Sequence, residues 1–196
     1  MVTAAEMLAR AGFLAGHEAQ AIPSFGSERN GAPVVAYCRF DDRTIRSREP
    51  VLAPDVVLVQ DPTLLASEDL FVGLAPGGIV VVATEHPAAE VREQADAAGA
   101  AGTATGAGDA RVITVPAMRF AMEHLGKAKP SAAMLGAYAA ATGKITLEAV
   151  QQVFRARYPG KVGDQNAAAA AQAFGFVTDD LAGLHEELAT TGQEVV

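Results

Sequence analysis

The sequence has little cysteine and little positive charge. Cys38 is the single cysteine among 196 residues, which excludes an internal disulfide and indicates a reducing compartment. It also excludes an iron–sulfur cluster held by this chain alone, because such clusters are usually held by four thiolates. The formal net charge is −8 and the pI is about 4.9, which argues against the basic face of a nucleic-acid-binding protein.

Long apolar runs are missing as well. No stretch approaches the roughly 20 residues that a helix needs to cross a bilayer. No charged leader precedes an apolar stretch, as a secretory signal requires. We therefore expect a cytoplasmic protein that contacts neither membrane nor nucleic acid. What is present is a half-hydrophobic composition with 19% charged residues, at a length that suits one globular domain.

Apolar runs and helical patterns alternate along the chain. Continuous apolar runs, typical of strands buried on both faces of a parallel sheet, lie at 55–60, 78–83 and 111–115. Helical patterns are found at 3–15, 87–98, 117–125, 131–142, 146–157 and about 165–173. This order predicts an α/β doubly wound, mostly parallel, Rossmann-like sheet with a helical C-terminal cap.

Two further assignments concern single elements. Residues 34–40 have the pattern of a strand, and Thr44–Arg48 is its expected hairpin partner across a turn at Asp41 and Asp42. Met118 and Met122 lie four residues apart on one helix face, a spacing typical of core packing.

Two stretches contain residue types that bind ligands. Asp61-Pro62-Thr63 follows a predicted strand at its carboxyl end, where open α/β sheets bind ligands, although a simple strand-ending turn explains it equally well. Residues 23–33 place Glu28, Arg29 and Asn30 among two glycines and two prolines. One interpretation is a β-hairpin turn at Asn30-Gly31. The other is a set of fixed donors for phosphate or carboxylate groups.

The string PSFGSERNGAPV, residues 23–34, resembles the "PSFGPERRGAPV"-type segment of a known family. That family is the gamma subunit, or gamma domain, of the 2-oxoacid:acceptor oxidoreductases, which include pyruvate:ferredoxin oxidoreductase. The resemblance continues in order through 2–8, 49–57, 61–65, 135–138, 141–143 and Asn166. It implies a gamma-type domain over residues 1–175, followed by an acidic tail over 176–196.

The resemblance implies one subunit of a larger enzyme that is not active alone. Alpha and beta subunits would hold thiamine diphosphate with magnesium, and partner chains, including a ferredoxin-like delta subunit, would hold [4Fe-4S] clusters. The implied reaction is oxidative decarboxylation of a 2-oxoacid such as pyruvate to an acyl-CoA. Electrons would pass to ferredoxin or, through a further subunit, to NAD(P).

The same resemblance assigns part of a coenzyme A site to this chain, but no catalytic residue and no metal ligand. Glu28, Arg29, Asn30 and Gly31 are expected to face coenzyme A, and Thr3 and Asn166 belong to the same set. Arg29 is the expected partner of a phosphate, and Asn30 with the loop amides that of the pantetheine arm. Relative to the family pattern, Ser27 and Asn30 replace a proline and a second arginine, which removes one positive charge.

Several alternatives stay open at this point. The substrate could also be 2-oxoglutarate, phenylglyoxylate or indolepyruvate, because in the family the substrate pocket lies largely on other chains. A non-catalytic coenzyme-binding module and an assembly subunit are alternatives from other classes. The family also begins with a strand and a "GRGGQG"-like loop before the helix at 3–15. We therefore expect the native polypeptide to extend about ten residues upstream of Met1, enough for a short strand and a turn.

Overall fold

The computed structural model describes residues 2–24, 34–66, 73–99 and 110–191. The helices are α1 (Val2–Leu14), α2 (Ala88–Gly99), α3 (Ala117–Leu125), α4 (Ser131–Thr142), α5 (Leu147–Arg157) and α6 (Lys161–Thr191). The strands are β1 (Glu18–Ser24), β2 (Val35–Asp41), β3 (Val56–Val59), β4 (Ile79–Ala83) and β5 (Arg111–Val115). A short 3-10 helix, Pro62–Ala66, follows β3.

The three apolar runs form a parallel sheet in the order β3-β4-β5. Their β-branched side chains suit a pleated surface that is covered on both sides. Because successive residues of a strand point to opposite faces, Val80 and Val82 pack in the core beneath α2. Val81 and Ala83 pack on the other face, in the core formed with α3, α4 and α6. The predicted doubly wound α/β fold with helices after the last strand is confirmed.

The partner predicted for β2 was wrong. β2 pairs with β1 in an antiparallel hairpin, from Glu18 opposite Asp41 to Ser24 opposite Val35. Thr44–Arg48 forms no strand, because the chain turns away directly after β2. That turn is held by the Asp41 carboxylate, whose Oδ1 accepts a hydrogen bond of 2.9 Å from the Arg43 backbone N–H.

A layer of helices covers the face of the sheet that carries Val81. α4 is apolar nearly all round and is buried over most of its length, as its composition of alanine and other small residues requires. It packs most extensively against α6. The two backbones approach so closely that a Cβ on Gly136 would lie 2.0 Å from the Ala170 carbonyl oxygen. Only a glycine permits this crossing of α4 and α6.

Two sequence expectations about the helical layer need correction. The side chains of Met118 and Met122 are 39% and 51% exposed, so they do not pack in the core. Helix α3 instead turns Phe120 and Ala121 inward. The last helix was expected over about 165–173 but runs from Lys161 to Thr191, so it continues without a break through the boundary predicted at residue 175. The division into a domain and a tail stays a prediction.

Candidate functional site

The loop that holds Glu28, Arg29, Asn30 and Gly31 lies outside the described residues. Its two ends are described: β1 ends at Ser24 and β2 begins at Val35, and these residues pair with each other. Ten residues of sequence lie between these two strand ends, and the turn predicted at Asn30-Gly31 falls among those outside the described residues. The hairpin holds the ends of this loop together, and the roles of the four residues stay predictions.

Thr3 and Asn166, the other two predicted site residues, lie in different helices. Thr3 is exposed in the first turn of α1. Asn166 is buried in α6, and its Nδ2 donates a hydrogen bond of 2.8 Å to the Val162 carbonyl oxygen of the same helix. Neither residue lines the cleft described next. The amide donor of Asn166 thus serves its own helix, so a role in ligand binding stays a prediction for this residue as well.

A cleft of about 1110 Å³ lies between the hairpin and the parallel sheet. Consecutive residues of β2, from Ala36 to Asp41, all line it, so it runs along the edge of this strand rather than along one face. Val56 and Leu58 line it from β3, and Gln60 lines it directly after that strand. In the described part of the chain β2 pairs only with β1, and β3 only with β4. The cleft therefore borders two strand edges without a described partner, and it is larger than most small-molecule pockets, at about 300–1,000 Å³.

Polar groups of several elements line the cleft. The His17 ring stacks on Phe40 at a centroid distance of 5.7 Å, and its Nε2 donates to the Lys144 carbonyl oxygen at 3.1 Å. Arg39 donates from Nη2 to the Pro50 carbonyl oxygen at 3.0 Å. Its Nη1 is buried and has no hydrogen-bond partner among the described residues. Because an unsatisfied buried donor is costly, Arg39 is a candidate binding group that the sequence pattern did not reveal.

Two weakly acidic groups in the cleft are held in their neutral forms. Burial raises the pKa of the Cys38 thiol from 9.0 to about 12. Burial is also the largest cause that raises the pKa of the Tyr138 phenol, from 10.0 to about 12. A thiol with so high a pKa is a poor nucleophile at neutral pH. Among the described residues no group of three or more histidine, cysteine or acidic side chains is placed to hold a metal ion.

These two groups are expected to make the folded protein less stable at alkaline pH. The unfolded chain loses their protons at lower pH than the folded chain does. Both groups therefore contribute fully to the free energy of unfolding below pH 9. As the pH rises toward 12, the free energy of unfolding falls by about 1.4 kcal/mol per pH unit for each group that is ionised in the unfolded chain but still protonated in the folded chain. Urea unfolding at about pH 8 and about pH 10.5 measures this loss. Cys38→Ala should remove the part of the stability loss that begins near pH 9. If this variant lost as much stability between the two pH values as the unmodified chain, the Cys38 thiol would not be the cause of that part.

Asp61-Pro62-Thr63, the second predicted ligand stretch, forms a local turn. The Asp61 Oδ1 accepts hydrogen bonds from the Thr63 backbone N–H at 3.0 Å and from the Thr63 hydroxyl at 2.7 Å. These bonds hold the pKa of the exposed Asp61 carboxyl below its usual value. The carboxylate thereby begins the 3-10 helix after β3, as such side chains do at helix starts. These contacts support the strand-ending turn.

The described residues thus define an α/β domain with a cleft between its hairpin and its parallel sheet. The chain belongs to the pyruvate ferredoxin/flavodoxin oxidoreductase family, whose model matches residues 1–176. This confirms the family resemblance drawn from the sequence. No helix among the described residues is long and apolar enough to span a membrane.

Individual relatives agree with this family. The chain is 43% identical over 173 residues to the pyruvate/ketoisovalerate oxidoreductases common subunit gamma of Thermococcus kodakarensis, covering 88% of each chain. It is 39% identical to the pyruvate synthase subunit PorC of Methanothermobacter thermautotrophicus, covering 88% of this chain and 87% of that one. The crystal structure of the pyruvate oxidoreductase subunit PORC of Thermotoga maritima matches with a TM-score of 0.72 at 31% identity, covering 88% and 87% of the two chains.

Proposed function

We propose that this chain is the gamma subunit of a multi-subunit, thiamine diphosphate-dependent, coenzyme A-acylating 2-oxoacid oxidoreductase. The observation that carries the proposal is the match over most of both chains to relatives that are named gamma subunits. In the overall reaction a 2-oxoacid loses its carboxylate as CO2, its acyl group is joined to the thiol of coenzyme A, and two electrons leave to ferredoxin or NAD(P). The chain contributes to binding coenzyme A rather than to breaking the carbon–carbon bond.

The cofactors of this reaction are assigned to partner subunits. Thiamine diphosphate with magnesium would supply the decarboxylation chemistry, and [4Fe-4S] clusters would carry the electrons. This chain has one cysteine, whose thiol is buried and protonated, so it lacks the thiolates that a cluster needs. The partners we assign are alpha and beta subunits, a ferredoxin-like delta subunit and, where NAD(P) is the acceptor, a further electron-transfer subunit.

The coenzyme A site is assigned to the loop between β1 and β2. Glu28, Arg29, Asn30 and Gly31 face coenzyme A. Arg29 pairs with a phosphate, and Asn30 with the loop amides bonds the pantetheine arm. Fixed donors suit this ligand, because ordering a long and flexible polyanion is costly unless the protein groups are already in place. Thr3 is exposed at the start of α1 and is free to contribute a hydroxyl. Asn166 stays assigned to the same site, although one N–H of its side-chain amide is bonded to the Val162 carbonyl oxygen of its own helix.

Pyruvate is the substrate that the relatives support best. The name of the Thermococcus relative describes one gamma subunit common to pyruvate and ketoisovalerate oxidoreductases. A gamma subunit shared in this way leaves the choice of 2-oxoacid to other chains. Aromatic 2-oxoacids and 2-oxoglutarate therefore stay alternatives for this enzyme.

Purification of this chain with its native partners tests the proposal. Under anoxic conditions the tagged chain should be recovered in a brown, iron-containing complex. This complex should reduce its electron acceptor only when a 2-oxoacid and coenzyme A are both present. Pyruvate, 2-oxoglutarate, phenylglyoxylate and indolepyruvate are assayed in parallel to identify the substrate.

The chain purified alone should show no oxidoreductase activity and bind neither iron nor thiamine diphosphate. Stoichiometric iron in the isolated chain would contradict the assignment of the clusters to partners. Recovery of only a colourless monomer from the native cells would favour a free-standing coenzyme-binding module. A complex without 2-oxoacid activity would favour a subunit that serves assembly alone.

A further inference from the structure

The segment over residues 44–51, which we name the strap, forms one wall of the cleft. It contains neither a helix nor a strand, and none of its residues is buried. The strap residues that line the cleft are Thr44, Ile45, Arg46, Ser47 and Val51. The strap therefore covers the cleft without contributing a buried residue to a core.

The chain on either side of the strap is held in place. Before it, the Arg43 N–H donates a hydrogen bond of 2.9 Å to the Asp41 carboxylate in the turn after β2. After it, the Ala75 N–H donates to the Pro54 carbonyl oxygen at 2.9 Å. These two attachments fix the ends of the strap, so a movement of the strap is confined to the residues between them.

One side chain joins the middle of the strap to the hairpin. The Arg39 Nη2 donates to the Pro50 carbonyl oxygen at 3.0 Å. In the described part of the chain, this is the sole hydrogen bond between residues 44–51 and a residue outside them. The bond of 3.3 Å from the Glu49 N–H to the Ser47 hydroxyl lies within the strap. A segment with so few attachments opens at a small free-energy cost.

The Arg39 guanidinium is not fully used by its bond to the strap. Its Nη1 is buried and has no hydrogen-bond partner among the described residues. None of the ion pairs in the described part of the chain includes Arg39. A buried cationic donor without an acceptor is costly. The two oxygens of a carboxylate or phosphate group would accept two N–H groups of this guanidinium at once.

We propose that Arg39 binds an oxyanion, a carboxylate or phosphate group of a ligand in the cleft, and that the strap is the lid over this site. With the strap closed, the Pro50 carbonyl oxygen occupies Nη2 and Nη1 is shut off from solvent. A ligand in the cleft reaches both N–H groups only after Pro50 moves away. Because a hydrogen bond between two charged groups is stronger than one to a neutral carbonyl, the oxyanion stabilises the open strap. This inference concerns the chain itself and does not depend on the proposed function.

Nuclear magnetic resonance of the full chain, labelled with 15N, tests the binding step. The Nε–Hε signal of Arg39 is identified by its loss in Arg39→Met. Sodium pyruvate and sodium phosphate are titrated separately, with sodium chloride at equal ionic strength as the control. We expect pyruvate or phosphate, but not chloride, to shift the Arg39 signal to saturation. The probe that saturates at the lower concentration identifies the group bound, and no saturable shift with either probe would overturn the inference.

Limited digestion with trypsin tests the movement of the strap. Trypsin cleaves after arginine, and Arg43, Arg46 and Arg48 are exposed in or beside the strap. Cleavage at these sites follows the population of the open strap when opening and closing are fast. We expect a saturating oxyanion to raise the cleavage rate there about fivefold, the factor that the loss of one hydrogen bond produces. Mass spectrometry separates these cuts from others, and a small peptide substrate corrects for effects on trypsin itself.

Variants separate the role of Arg39 from a general loosening of the strap. Arg39→Met keeps the apolar stem but has no N–H group. It should raise cleavage in the strap without ligand and abolish the response to the oxyanion. Arg39→Lys keeps one charge without the paired N–H groups, so it should bind the oxyanion more weakly. Ser47→Ala removes the bond within the strap and should leave the response to the oxyanion intact.

Arg10→Met is the matched control, because Arg10 is exposed on α1 and does not line the cleft. This variant should bind the oxyanion and be cleaved as the unmodified chain is. Thermal unfolding shows whether each variant folds. A response to the oxyanion that persists in folded Arg39→Met, or that is undiminished in Arg39→Lys, would show that another group binds it. Saturable binding with unchanged cleavage of the unmodified chain would show that the strap is not the lid.

Discussion

Gly136→Ala is expected to destabilise the folded chain by about 3 kcal/mol or more, which lowers Tm by roughly 6–12 °C for a chain of this size. The added methyl group would lie 2.0 Å from the Ala170 carbonyl oxygen, and the two nearest further atoms, at 2.7 Å and 2.9 Å, are also backbone. No side-chain rotation can relieve such an overlap, so α4 and α6 must move apart. Urea and thermal unfolding of the isolated chain measure the effect.

Gly175→Ala is the matched control for that prediction. Gly175 also lies inside a helix, α6, but nothing lies within 4 Å of its Cβ position. Alanine there removes backbone freedom from the unfolded chain and should raise stability by about 0.5–1 kcal/mol. Equal stability changes in the two variants would show that the α4–α6 crossing is not as close as described.

Arg29→Ala is expected to raise the KM for coenzyme A in the native complex by roughly one to two powers of ten. A charge-assisted hydrogen bond contributes about 1.5–3 kcal/mol, which corresponds to that factor. The KM for the 2-oxoacid should change little, because the substrate is expected to bind on other chains. Steady-state kinetics with each substrate varied in turn, at a stated salt concentration, gives both constants.

Arg10→Ala is a suitable control for the arginine substitution. Arg10 is exposed on α1, and its removal should change neither KM. An equal loss for coenzyme A and the 2-oxoacid in Arg29→Ala would mean that Arg29 holds the loop or a subunit interface. Unchanged kinetics in Arg29→Ala would remove this residue from the coenzyme A site.

Most helices and strands could be predicted because their signals are local. The β-branched runs at Ile79–Ala83 and Arg111–Val115 need only to be buried between two layers to form strands. Both runs are strands in the structure. The start of α5 was equally clear: the Thr146 hydroxyl accepts a hydrogen bond of 3.1 Å from the Ala149 N–H, as a helix-capping threonine does. Neither feature depends on which distant segment lies beside it.

The candidate site was predictable only in part. The string around Arg29 identified the family from residues adjacent in the sequence. The cleft was not predicted, because Cys38, Arg39 and Tyr138 come from β2 and α4, which meet only after the hairpin and the sheet are in place. The exposure of Leu52 was not predictable either. Its side chain is as apolar as those in the core, yet it is exposed in the structure.

The sequence by itself determined the family and the alternation of strands and helices. These conclusions follow from residue identities and short-range periodicity. Only the tertiary structure decided that β1 rather than Thr44–Arg48 pairs with β2, that Met118 and Met122 face solvent, and that two strand edges border the cleft. A strand pattern shows which faces of the strand are apolar, but not which other segment forms hydrogen bonds with its backbone. The pairing partner depends on how distant segments pack together.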